Sequence, residues 1–279
     1  MRKVWFITGA NRGLGLGIAQ AVLAAGHAVV ATARNIDDLK KKLTGEPSSL
    51  LCLPLDITDA DQIKTSVQGA VDTFNRIDVL VNNAGYGQLG WFENTSDEQV
   101  RRQFETNVFG TMNVTRAILP VMRAQRSGHV FTISSAAGMI SVAGSSTYSA
   151  SKFAVEGWME GLANEVAPLG IHATIVAPGF FKTDFLDPTS VSYGTNDIPE
   201  YAESIKAFNN FHDQMNHQQV GDPAKLGAAL ITLSDLAEPP VRYAAGSDSL
   251  GVVHAKIEIM LKQAELLAPL SASTDSAAT

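Results

Sequence analysis

The chain has 279 residues, 45% of them hydrophobic and 18% charged, with a formal net charge of −7. That suits a folded protein with room for a sizeable core. It speaks against a nucleic-acid groove, because the one basic run is Lys40-Lys41-Lys42 and phosphate binding takes clustered Lys and Arg.

Val4-Trp5-Phe6-Ile7 reads as a first strand, and the apolar run stops at Thr8-Gly9, too soon for a secretion signal. A helix is expected from about Gly13 to Ala25, then a strand Ala28–Ala31. The stretch between Arg12 and Arg34 carries no charge and is long enough to cross a bilayer. Its glycines, Gln20 and His27 divide it into a helical and an extended half, so no membrane span is expected. A charged helix follows to about Leu43, then a strand Leu50–Leu55. Ile63, Val67, Ala70, Val71 and Phe74 recur at helical spacing over 60–74. Val79–Val81 is strand-like, 97–126 a long helix, His129–Ile133 a strand, Thr147–Ala167 a helix and Ile171–Val176 a strand. Short continuous apolar strands alternating with helices predict an α/β fold: a Rossmann-like, doubly wound parallel sheet with helices on both faces. A single domain over 1–270 is expected. Residues 180–220 follow a strand's C-terminal end and form a candidate lid. The last residues, 271–279, read as a disordered tail. The lone Cys52 forms no internal disulfide, which fits a reducing cytoplasmic setting, and its strand position suggests packing.

The first strand runs into Thr8-Gly9-Ala10-Asn11-Arg12-Gly13-Leu14-Gly15. A glycine-rich turn opening a helix presents free N–H groups and the positive end of the helix dipole to a pyrophosphate. The pattern TGxxxGxG resembles that of the short-chain dehydrogenases and reductases with a single domain and a YxxxK site. Asn82-Asn83-Ala84-Gly85, Asn107, Ser135, the pair Tyr148/Lys152, and Pro178-Gly179 with Thr183 stand in the order that family shows. The resemblance covers the chain to about residue 185 and, loosely, its end. It implies that Asn83, Ala84, Gly85, Pro178, Gly179 and Thr183 border a nicotinamide cofactor. It implies that Ser135 bonds the substrate oxygen, with Ser134 as neighbour for that role. It also implies that Asn107 holds a water linking the lysine to solvent; a helix-kink amide is the plain alternative. Asp56 resembles an adenine-contacting acid, against an ordinary turn aspartate.

Tyr148 and Lys152, four apart on a helix, share one face. A phenol titrates near pH 10, and a neighbouring ammonium favours its ionised form. Lys152 is therefore expected to lower the Tyr148 pKa and make it a general acid and base. By resemblance Lys152 also holds the nicotinamide ribose. The second strand ends Ala33-Arg34-Asn35 with no acid before Asp37, which disfavours the ribose contact of NAD enzymes. Arg34, with Arg12 from the glycine turn, suits a 2′-phosphate, so NADP(H) is the expected cofactor.

Phe180, Phe181, Phe185 and Tyr193 suggest an apolar or aromatic substrate pocket. The expected activity is interconversion of a small-molecule carbonyl and alcohol, with reduction the favoured direction. Oxidation of an alcohol and a non-catalytic NADP(H) sensor are the alternatives. The six histidines show no ligand spacing, His212 and His217 included, and no metal site is expected. Trp158 and Met159 read as core or subunit-contact residues. The resemblance implies a homodimer or homotetramer built on this helix and the long one before it.

Overall fold

Successive residues of strand β1 (Val4–Ile7) alternate between two buried faces: Val4 and Phe6 enter one apolar cluster, Trp5 and Ile7 the other. A strand buried on both sides belongs inside a helix-covered sheet. The computed structural model describes residues 1–187, 190–216 and 218–276. Around β1 lie β2 (Ala28–Ala33), β3 (Leu50–Pro54), β4 (Val79–Asn82), β6 (Gly128–Ile133), β7 (Ile171–Pro178) and β9 (Arg242–Ala245). Their order is β3-β2-β1-β4-β6-β7-β9, all parallel.

Helices α1 (Gly13–Ala24), α2 (Ile36–Lys42) and α8 (Pro223–Ser234) cover one face with Ile18, Val22, Leu39, Leu226 and Leu230. On the other face lie α3 (Ala60–Phe74), α5 (Thr111–Gln125) and α6 (Ser146–Val166), which contribute Ile63, Val67, Ile118, Val155 and Met159. Asp59 starts α3 by accepting from the N–H groups of Asp61 and Gln62. Contact between α1 and α8 depends on absent side chains. A Cβ on Gly17 would lie 2.5 Å from the Pro223 ring, and one on Gly227 would lie 2.6 Å from Ala21 Cβ.

The helix expected over 97–126 is three pieces. Helix α4 (Asp97–Phe104) starts with a Ser96/Gln99 capping box; a π-helical turn spans Glu105–Gly110; α5 continues from Thr111. The wider turn is locked where Asn107 Oδ1 accepts from Tyr86 N (3.1 Å) and Asn107 Nδ2 donates to Tyr86 O (2.9 Å). A Cβ on Gly110 would sit 2.8 Å from the Ile57 side chain. Trp158 packs half-buried against the core that encloses Met159.

The segment 180–220 holds a short strand, β8 (Val191–Tyr193), and a helix, α7 (Ala202–Met215). Strand β8 pairs in parallel with β5 (Gly87–Leu89), which ties the segment to the body. Beyond α8 and β9 the chain ends in a 26-residue helix, α9 (Ser247–Ala272), for which the sequence pattern gave no expectation. Ser271 and Ala272, assigned above to a tail, complete this helix; residues 277–279 and His217 lie outside the described residues. Cys52 sits in β3 half-buried, and burial raises its thiol pKa. Among the described residues no helix is long and apolar enough to cross a membrane.

Candidate active site

Strand order reverses between β1 and β4, so the connections leaving their C-terminal ends run to opposite faces of the sheet and frame a crevice, the usual ligand site of an open α/β sheet. A cleft of about 1330 Å³ opens there.

The glycine turn forms one wall. Gly9 (φ +65°) and Gly13 (φ +54°) adopt left-handed backbone that a side chain would strain. No side chain caps the first turn of α1, so its N-terminal N–H groups face the cleft as anion donors. Gly9, Asn11, Arg12, Gly13 and Leu14 line this wall, whereas Gly15 lies behind it. A Cβ on Gly15 would come 2.4 Å from both Gly9 O and Asn83 Nδ2. Asn83 and Ala84 brace the turn as well as border the cleft. Asn83 Nδ2 donates to Thr8 O and Gly9 O (2.9 and 3.0 Å), and the N–H groups of Asn83 and Ala84 donate to Thr8 Oγ1. Gly85 lets the backbone meet the Asn107 amide, with Oδ1 only 3.0 Å from an added Cβ.

At the outer end Asn11, Arg12, Arg34 and Asn35 line a recess of about 260 Å³. Asp38, one residue beyond the Asp37 noted in the sequence, bonds to Asn11 of this recess. Its carboxylate accepts from Asn11 Nδ2 (2.9 Å) and Lys42 Nζ (3.1 Å), contacts that lower its pKa. Asp56 lines the cleft while Oδ1 accepts from Thr58 N and Oγ1, the turn-aspartate arrangement.

The floor holds the titrating groups. Ser135 lies two residues beyond β6, and Tyr148 and Lys152 project from the first turns of α6; all three line the cleft. Burial pushes the Tyr148 phenol up to about 12, and a hydrogen bond with Ser135 partly opposes the rise. Burial draws Lys152 down to about 8, with the Glu156 carboxylate working against it. Lys152 Nζ donates to Ile133 O at 2.8 Å and stands 5.7 Å from the centre of the Tyr148 ring. This corrects the expectation that the lysine lowers the phenol's pKa. In the protein alone the ammonium is turned to the Ile133 carbonyl, and burial sets the direction of the phenol's shift. Ser134 is also buried at the cleft but turns towards Glu156, leaving the phenol to Ser135. Asn107 uses both side-chain atoms on Tyr86, so the helix-kink role is the one its amide performs.

Of the rings expected to line a pocket, Phe185 lies 5.8 Å from Tyr148, centre to centre. Phe180 borders the cleft 44% exposed. Phe181 borders it while pairing with Gly221, where a Cβ would lie 2.6 Å from the ring. Tyr193 packs against the apolar cluster of Leu89, Tyr148, Leu186 and Val191 and does not itself line the cleft. Pro178, Gly179 and Thr183 border it as expected.

Three further groups matter that the sequence did not place at the site. Glu156, 5% exposed, lies one helical turn past Lys152 and pairs with Arg242 at 3.2 Å; burial raises its pKa. Asp248, at the start of α9, accepts from Phe180 N (2.7 Å) and fills the space a Gly179 side chain would need. His212 enters the cleft wall from α7, its Nδ1 2.9 Å from Phe208 O. The i,i+4 step from Lys152 could have exposed Glu156; nothing local marks the other two.

Comparisons with known proteins agree with this geometry. Residues 3–193 match the family described as short chain dehydrogenase. The chain is 36% identical over 261 residues to oxidoreductase BOA17 of Botryotinia fuckeliana, covering 93% of this chain and 94% of that one. It is 36% identical to a 3-ketodihydrosphingosine reductase of Bacteroides thetaiotaomicron, covering 88% of each. A crystal structure of a short-chain dehydrogenase from Streptomyces avermitilis superposes with a TM-score of 0.91 at 38% identity, covering 99% of this chain and 100% of that one. The same fold at 22% and 23% identity occurs in Burkholderia proteins crystallised with NAD (TM-score 0.79; 93% and 95% covered) and NADP (0.73; 96% and 97%).

Proposed function

The chain belongs to the short-chain dehydrogenase family of oxidoreductases, and from that premise we propose that it reduces an apolar or aromatic ketone or aldehyde with NADP(H), Tyr148 acting as general acid and base. The observation that carries the reading is the cleft floor, where a buried phenol meets Ser135 one helical turn from Lys152. A phenol whose pKa is pushed up to about 12 is held protonated, ready to donate to a developing alkoxide. Oxidation would first require removing that proton. A nicotinamide held in the cleft would supply the hydride. Ser135 and Tyr148 hold the substrate oxygen, and the ammonium of Lys152 stabilises negative charge as the phenol gives up its proton. Leu89, Ile140, Val142, Phe185, Leu186 and Val191 make an apolar wall, which supports an apolar substrate. The Bacteroides relative is by name a reductase of a keto compound.

The residues present fit a dinucleotide. Left-handed glycines and the uncapped helix start suit a pyrophosphate. Arg12 and Arg34, beside a second strand that ends without an acid, support the 2′-phosphate of NADP(H). Asn107 serves the site by shaping it, and a water near Lys152 remains part of the proposal. The same reading has the enzyme in the cytoplasm as a homodimer or homotetramer. Exposed Phe109 and Phe153, beside α5 and on α6, support an assembly on that side.

Titration of the purified protein with NADPH and NADH, followed by a panel of ketones, aldehydes and quinones, tests the function. NADPH binding with turnover of a carbonyl is expected. Tight binding with no turnover across the panel would point to a sensor. Arg34→Ala is expected to weaken NADPH about tenfold or more while leaving NADH unchanged, the loss of one charge-assisted contact. An unaltered ratio of the two affinities would refute the arginine assignment.

A further inference from the structure

Helix α9 is anchored at one end only. Ser249 Oγ donates to Ala177 O at 2.7 Å and Asp248 holds the loop after β7, but from Ile257 to the end every described residue is exposed. The 26 residues make a rod about 39 Å long. Helices of this kind gain most of their stability from packing an apolar face rather than from propensity. Here the packing is missing. Ile257, Met260, Leu261, Leu266, Leu267 and Leu270 are between 48% and 79% exposed. With Leu250 and Ile259 they offer on the order of 800 Å² of apolar surface, about the area each partner gives to a standard stable interface.

The pattern identifies the occupant. Leu250, Val253, Ile257, Met260, Ala264 and Leu267 follow steps of three and four, an uncharged seam of the kind that packs against another helix. Ile259, Leu266 and Leu270 lie off that seam, so the rod is apolar on more than one side and suits enclosure rather than one-sided contact. A helix lying on a membrane surface carries a basic polar face. This one balances Lys256 and Lys262 with Glu258 and Glu265, and Glu258 already pairs with Lys262 at 2.7 Å, within a chain of net charge −7. An uncharged seam is also complementary to itself, as a two-fold interface requires.

We propose that α9 is a self-association element: two copies of this chain pair through the seams of their α9 helices, each rod packing on its off-seam side against the partner's body. This contact is separate from the assembly suggested for the α5 and α6 side.

Sedimentation velocity on the full chain and on Met260→Glu/Leu267→Glu tests it, with Lys262→Ser as the matched exposed change. The wild type is expected to sediment as a dimer or tetramer, the double variant at half that mass, and Lys262→Ser like wild type. Unchanged thermal melting by circular dichroism would show that the body still folds. Equal masses for all three proteins, or a monomeric wild type, would overturn the proposal. So would a wild type that is monomeric in solution and cosediments with phosphatidylcholine vesicles, which would make α9 a membrane-surface helix.

Discussion

Lys152 carries a charge into a site that disfavours it, and the groups facing it set how much charge survives. Tyr148 lies one turn before it on α6 and Glu156 one turn after. Arg242, from β9, pairs with Glu156 at 3.2 Å and with Glu160 at 2.6 Å, and Ser134 lies beside the carboxylate. Glu156 is thus the negative group that keeps the lysine protonated. With its pKa at about 8, Lys152 is charged below that pH and loses its charge as pH rises through it. For the free enzyme kcat/KM should therefore fall above pH 8. Glu156→Gln removes the group that raises the Lys152 pKa, so the fall should begin at lower pH, leaving kcat/KM severalfold below wild type at pH 8 and recovering towards pH 6. Glu156→Asp should restore most of the profile. A pH profile unchanged in Glu156→Gln would assign the carboxylate a purely structural part. Tyr148→Phe should lose turnover by about 10²–10⁴-fold, the range for a general acid, with NADPH affinity kept. Surviving turnover would remove Tyr148 from the chemistry.

At the scale of elements the periodicity of apolar residues was a good guide where it was strong. Residues 60–74 form α3 as their spacing predicts, because a single buried stripe needs only local repetition. The pattern over 97–126 was equally helical, yet the π-helical turn within it arises from Asn107 reaching Tyr86, twenty-one residues away. Strands β5 and β8, three residues each, are too short for any periodicity and form because they find each other. The α1–α8 contact likewise rests on a fit between distant glycines. Gly17→Val should lower stability by about 1–3 kcal/mol through overpacking against Pro223. Chemical denaturation would check this, and an unchanged midpoint would mean that α8 moves aside freely.

Across the molecule, the lid is tied to the body by the β5–β8 pair, and one further contact bears on the cleft. Gly144 (φ +80°) lies under the ring of Phe208 from α7, and a Cβ there would approach it to 2.7 Å. Phe208 in turn meets His212, which lines the cleft, with the two rings tilted and 4.2 Å between centres. Gly144→Val should hold α7 away from the cleft and raise KM for the carbonyl severalfold, with NADPH affinity little changed. If KM stayed the same, the lid's seat would not govern substrate binding.

By itself the sequence determined the alternating fold, the glycine turn and the residues of the cleft floor. Each is encoded by neighbours: a repeat of apolar positions, glycines where the backbone needs left-handed angles, and a tyrosine four residues before a lysine. Only the tertiary structure decided how those groups are charged. The pKa of Tyr148 rises rather than falls because the fold buries it and turns Lys152 to Ile133 O, and burial is summed over the whole molecule. The same holds for Asp248 and His212, which reach the cleft from elements distant in the chain, and for α9, whose apolar residues remain in solvent because the body offers them no surface.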